Sequence, residues 1–440
     1  MKHWFKDAHF RSLLKNSSYL GLSKAVAAVA GIATLAFAGR GLGVTLFGML
    51  ILIVSYAKAA SGLSKFQSWQ LIVRYGGRAL AGGEQADFKA STGFAFALDV
   101  VSGVGGMILA VILLPFVGQW FGITDEYLWL AILYCALLPT MGAATPVGVL
   151  RALDRFDLIS WQGSSYPIAR AILAGIAFAT GAPIEAYVAI WFATDLGGDL
   201  LLWFLAWREL RRRGLLEGIR PTLKPETLPG AWRFAIHVNL TSSLTTAWGP
   251  IARLLVGGLL GPAGAAIFRV ASSLTDAAEK PADLLSKAFY PEVVRMDLAT
   301  KKPWTLMLRG TALAAAVALA FIIVLLIIGR PFIELLFGKE FLGAYPVVVV
   351  LLIAPLLAVI SFPLPSMLYA LDRPDAPLKA RLVGTIIFFA IIAPLAWTFG
   401  VIGAAIAFVT GTAAMVSVLV LQLWQEYRRV RGPGRKLASQ

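Results

Sequence analysis

Charge is scarce in this sequence: Asp, Glu, Lys and Arg make up 14 % of 440 residues, against about a quarter in a soluble globular chain. Cysteine is nearly absent, and the single Cys135 excludes an internal disulfide framework. With three histidines and one cysteine the chain offers no metal-spaced cluster, so neither a metal nor a cofactor is expected. It also lacks a phosphate-cradling GxxxxGKS/T loop and a nucleophile triad, so it is expected not to hydrolyse ATP and not to be an enzyme. A cleavable leader is not expected either. The opening MKHWFKDAHFRSLLK is basic and amphipathic, with no small-residue cleavage site before the first apolar run.

Apolar residues fill the space that charge leaves. They account for 58 % of the chain, in continuous Ala/Leu-rich runs rather than in the alternation of a membrane barrel. This pattern predicts an all-α integral membrane protein with about twelve spans: 17–39, 43–64, 88–114, 127–150, 158–181, 184–207, 231–260, 262–287, 304–328, 343–371, 380–399 and 401–426. The net charge of +15 would suggest nucleic acid in a soluble protein. Here the cations cluster in alternate connections, and the other loops hold only Arg40, Arg330 and Lys339. That bias places both termini on the cytoplasmic side of a membrane, with no nucleic-acid partner.

Two cytoplasmic connections are unusual. Residues 65–87 include KFQSWQLIVRYGGR, which predicts a short amphipathic helix at the interface. The basic stretch 208–229 contains Pro221, Pro225 and Pro229 and falls at the midpoint. It divides the chain into a six-helix lobe over 1–215, a linker over 216–230 and a second six-helix lobe over 231–440. The halves echo one another: Leu42-Gly43 through Gly48 aligns without gaps on Leu260-Gly261 through Ala266. Duplicated halves around a central site are a common transporter plan.

Arg40-Gly41-Leu42-Gly43 followed by Phe47-Gly48 resembles the turn after the first span of bacterial polysaccharide flippases. These belong to the superfamily that also holds multidrug and toxin extruders and the lipid II flippase. Arg253-Leu254-Leu255-Val256-Gly257, Leu260-Gly261-Pro262, Ala265-Ala266-Ile267-Phe268 and Tyr290-Pro291-Glu292 continue the resemblance. The family usually has Gly where Ala266 stands and Tyr where Phe268 stands, which should tighten or shift the turn. The resemblance implies two six-helix lobes enclosing a central cavity that opens to each side in turn.

The second arm of the Gly261 hairpin carries Arg269, Asp276, Lys280, Asp283 and Lys287 at spacings that fall on one helical stripe. Such a stripe cannot face lipid, so it lines a wet cavity or pairs inside a bundle. Arg253 and Arg269 each lie eight residues from Gly261, about 12 Å along their helices. Guanidinium groups at one depth repel unless an anion or a carboxylate stands between them. A pyrophosphate would serve, and so would Asp276. Lys280 is placed to relay between levels, and Lys24 and Lys58 to receive cargo from the cytoplasmic side.

Arg170 and Asp195 are level across a hairpin and suit an intramembrane ion pair. Asp199 follows one turn later, and Asp99 stands in the middle of the third span. These carboxylates are candidates for holding a driving ion or for structural pairing, and both readings stand. The function expected from the resemblance is flipping of a polyprenyl-pyrophosphate-linked oligosaccharide for polysaccharide or lipopolysaccharide synthesis. A glycan polymerase and other assembly proteins would then be partners. The competing reading within the superfamily is cation-coupled multidrug extrusion.

Overall fold

The computed structural model describes the backbone of residues 8–431 apart from 247, 295, 297–299, 372 and 374, and side chains from 21 to 429 with several gaps, of which 277–288 is the longest. Among the described residues every regular element is helical. The first helix, α1 (Ala8–Ser64), is 57 residues long. As one rod it would extend about 85 Å, far beyond a hydrocarbon core of roughly 30 Å. Gly43 breaks it, with φ 69° and ψ 175°, a conformation open essentially to glycine alone.

The short helices α2 (Ser68–Leu71) and α3 (Gly77–Gly82) follow, joined by one π-helical turn over Ile72–Gly76. This is the stretch expected to lie on the interface. Helix forms there, but Leu71 and Ile72 are fully buried, because the segment packs on the start of the third span, α4 (Gln85–Val117).

The fourth span is broken into α5 (Leu128–Cys135) and α6 (Ala144–Ala152), separated by turns that include Gly142 and Ala143 at positive φ. Next come α7 (Phe156–Ala179) and α8 (Ile184–Arg212). Beyond the linker, α9 (Ala231–Thr246) leads into α10 (Trp248–Val294), which is kinked at Gly261. Then α11 (Lys302–Phe337) precedes a tenth span cut into α12 (Ala344–Leu351), α13 (Ile353–Ser361) and α14 (Pro363–Ala370). The last helix, α15 (Asp375–Arg431), is kinked at Gly400.

Among the described residues seven helical stretches are long and apolar enough to cross a membrane. Three of them are split by Gly43, Gly261 and Gly400. With the broken fourth span and the more polar α7, the count reaches the twelve expected spans. The fold is all-α and multi-pass.

The echo between the halves also has a backbone counterpart. Aligning Gly43 with Gly261 superposes φ 69°, ψ 175° on φ 76°, ψ 176°. Two glycines held in the same rarely used conformation, at matching places in matching segments, are the local mark of a repeat. Ala266, where the family favours Gly, is completely buried, and Phe268 meets Phe408 edge to face at 6.5 Å.

The chain forms two compact units, Met1–Gly258 and Leu259–Gln440. In the first, Ile72, Phe88, Leu150, Leu202 and Leu205 build one core. A second core joins Leu71, Phe94 and Leu98 to Leu228 and Ala231, so the basic linker is packed onto α4. It comes close to α4 at Gly93, where a Cβ would lie 2.1 Å from the Arg220 carbonyl oxygen. In the second unit Trp304, Phe362, Met367 and Leu368 form the core, and Trp304 meets Tyr427 at 4.6 Å.

Candidate functional site

A break inside a membrane span frees backbone donors and acceptors that lipid cannot satisfy. In the fourth span, charged side chains from three other elements take up these groups. Lys65, just past the end of α1, donates from Nζ to the carbonyls of Pro139 (3.2 Å) and Met141 (2.6 Å). On α4, Asp99 accepts the Thr145 amide at 2.8 Å, capping the first turn of α6 from outside. The same carboxylate accepts from the Thr145 hydroxyl at 2.7 Å and from Ser68 at 2.6 Å. Asp199, on α8, accepts from the backbone amide of Gly142. Asp99 is 2 % exposed and Lys65 6 %, so neither is accessible from a wet cavity.

Beside this break lies a cavity of about 480 Å³ within the first unit. Lys24 and Lys58 of α1 and Arg151 of α6 supply its cations, and Asp195 and Asp199 of α8 its anions. Gln162 and Tyr166 of α7 add uncharged polar surface. Lys58 acts electrostatically on both carboxylates. Arg151 rests 4.0 Å above the Trp69 ring, and its buried Nε–H makes no hydrogen bond within the protein. Gln162 ties α7 to α8 through the Gly198 carbonyl at 3.0 Å.

Arg170 and Asp195 form a salt bridge between α7 and α8. Arg170 also donates from Nε to the Thr194 hydroxyl at 2.7 Å, and Tyr134 of α5 donates to the other Asp195 oxygen at 2.5 Å. The guanidinium is flanked by the Tyr166 and Trp191 rings at 5.5 and 5.4 Å. These donors fix the carboxylate in place between the three helices.

The remaining residues singled out in the sequence lie elsewhere. Arg253, in the first unit, donates from Nε to the Ser55 hydroxyl at 2.9 Å. Arg269, in the second, makes a loose ion pair with the exposed Asp276 at 3.9 Å. The Lys280 side chain lies outside the described residues. The structure therefore brings together Lys24, Lys58, Asp195 and Asp199, with Arg170 bonded to Asp195 and Asp99 serving the broken span. Sequence reasoning missed Arg151, Lys65, Gln162, Tyr166 and Tyr134. Arg151 and Lys65 each stand one residue outside the span limits drawn from hydropathy. Among the described residues there is no cluster of His, Cys, Asp and Glu fit for a metal.

Arranged this way, the cavity can hold a polar head that carries negative charge, inside a shell that is otherwise apolar. Comparison with known proteins identifies the family and the fold. The profile described as "Polysaccharide biosynthesis protein" matches residues 13–296. The Escherichia coli K12 "Inner membrane protein YghQ" is 40 % identical over 350 residues, 79 % of this chain and 99 % of that protein. Among solved structures, an inward-facing multidrug resistance MATE family transporter of the MOP superfamily matches with TM-score 0.71 at 16 % identity. It covers 94 % of this chain and 96 % of that one. The lipid II flippase MurJ in an inward closed conformation matches with TM-score 0.68 at 14 % identity, over 93 % of this chain and 89 % of that one.

Proposed function

The chain belongs to the polysaccharide biosynthesis protein family, and from that premise we propose that it flips a polyprenyl-pyrophosphate-linked oligosaccharide from the cytoplasmic to the outer leaflet of the bacterial inner membrane. The observation that carries this reading is the cavity beside the broken fourth span, where Lys24, Lys58 and Arg151 converge. A pyrophosphate crossing hydrocarbon needs cationic donors in place of water. The ammonium groups of Lys24 and Lys58 and the guanidinium of Arg151 can act as such donors.

On this reading Arg253, Arg269 and Lys280 each add a further cationic contact for the head group as it moves outward. The six-span lobes over 1–215 and 231–440, joined by 216–230, would supply the two rocking bodies of alternating access. The cargo would come from enzymes that build glycans on a lipid carrier in the cytoplasmic leaflet. A glycan polymerase on the far side would consume it.

The test is transport in proteoliposomes loaded with a fluorescent lipid-linked oligosaccharide, scored by outer-leaflet accessibility. Lys58→Ala and Arg151→Ala should each slow translocation by about tenfold or more, the loss of one charge-assisted contact or so. Rates equal to those of the unaltered protein in both variants would defeat the proposal. A second reading, cation-coupled extrusion of drugs, draws on Asp195 and Asp199 lining the same cavity. It would prevail if vesicles exported a cationic dye under a proton or sodium gradient and left the oligosaccharide lipid in place.

A further inference from the structure

A second concavity runs along another face of α4, and the flipping reading makes no use of it. Val101, Gly105 and Leu109 form an i, i+4, i+8 stripe along α4. Val101 and Leu109 are among its exposed apolar residues. Gly105 interrupts the stripe, and a Cβ placed there would touch nothing. The result is a groove of about 310 Å³ with Ser64, Phe66, Leu98, Ser102 and Gly106 on its walls.

The groove is closed at one end by the linker. Leu223 and Trp232 complete its lining, and the same two residues also line a neighbouring hollow of about 500 Å³ with Lys224, Pro225, Glu226 and Gly230. Trp232 donates from Nε1 to the Leu223 carbonyl at 2.9 Å and packs edge to face on Phe94 at 5.3 Å. The two concavities share this wall as one crevice, apolar along α4 and carrying the charged Lys224 and Glu226 at the linker. Exposed cations stand on the linker around that end: Lys224 in the lining, Arg233 next to Trp232 in sequence, and Arg220 three residues before Leu223. Glu226 is the carboxylate in that lining.

From Leu98 to Leu109 the helix rises about 16 Å, close to one leaflet of a hydrocarbon core of roughly 30 Å. The crevice thus has an acyl chain's length in the membrane, an indole of the kind that settles at the head-group level, and a basic rim above it. We propose that this crevice is a binding site for an anionic phospholipid of the cytoplasmic leaflet. One acyl chain lies in the notch at Gly105, and the phosphate faces Lys224 and Arg220. The site is separate from the cargo cavity. By seating a lipid between α4 and the linker, it ties the linker to the leaflet from which cargo is drawn.

The experiment is native mass spectrometry of the full chain in a mild detergent, titrated with phosphatidylglycerol or with phosphatidylcholine of the same acyl chains. The unaltered protein should retain phosphatidylglycerol with about tenfold tighter affinity. Gly105→Phe, at a position where a Cβ meets no neighbour, fills the notch and should lose that retention while keeping its melting temperature in lipid-free detergent. Arg220→Glu with Lys224→Glu, both on the surface, should bring phosphatidylglycerol down to the level of phosphatidylcholine. Equal binding of the two lipids by the unaltered protein would overturn the assignment, as would unchanged retention in the double charge reversal. Displacement of phosphatidylglycerol by a polyprenyl phosphate at stoichiometric levels would also overturn it, by giving the groove to the cargo's tail.

Discussion

Tyr134 and Arg170 approach the two oxygens of one carboxylate, Asp195, from different helices. Three spans, the fourth, fifth and sixth, therefore meet at a single carboxylate that also lines the cavity of the first unit. The salt bridge is mostly buried, and removing one partner of such a pair leaves a charge without compensation. Arg170→Leu should destabilise the protein by about 3–5 kcal/mol, read as a lower melting temperature in detergent. Arg170→Leu with Asp195→Leu should recover most of that loss. A double variant as unstable as the single one would mean that packing, not charge, holds these spans together.

Lys65 and Asp99 serve opposite sides of the broken fourth span and attract one another. Lys65→Met and Asp99→Leu should therefore not add. The double variant is expected to be more stable than the sum of the singles by about 0.5–3 kcal/mol. Strict additivity in thermal or denaturant unfolding would sever the link between the two groups.

Gly43→Ala and Gly261→Ala should each cost about 1–3 kcal/mol through backbone strain alone. At Gly261 a Cβ would meet no neighbour, so sterics with other residues cannot contribute. Gly105→Ala, inside a regular helix and equally open, should be neutral or mildly stabilising. Folded yield after membrane extraction distinguishes the three. Equal yields for all would mean that the kinks tolerate an ordinary residue.

Arg253→Ala and Arg269→Ala should each abolish display of the surface glycan while membrane abundance holds, if these cations take part in transport. Ser55→Ala, which removes only the hydroxyl that Arg253 touches, should have a mild effect. Glycan staining alongside an immunoblot decides this. Normal display in both arginine variants would take these cations out of the mechanism.

Spans and kinks were legible because both depend on short-range chemistry. Long apolar runs mark helices, and the pattern around Gly43 and Gly261 marks a turn that only glycine makes easily. The charged residues of α7 and α8 were legible too, since a charge in an apolar run stands out. The break in the fourth span was not. Pro139, Gly142 and Pro146 signalled it, but a proline inside a span usually means an accommodated kink. The groups that make the break affordable, Lys65 and Asp99, lie far away in the chain. Arg151 was hidden by one residue, because hydropathy ends a span where the first charge appears. Tyr134, Gln162 and Tyr166 carry no charge and sit in apolar or mixed sequence, so only folding brings them to the cavity.

The Arg220 carbonyl seated against Gly93 makes the linker a strap and not a tether. A reporter inserted near residue 220, or a cut there to express the halves separately, would peel that strap from α4 and open the core around Leu228. Gly93 is equally constrained from its side: any larger residue would lever the strap away. The middle of this chain, which looks in the sequence like the easiest place to divide it, is where division would do the most harm.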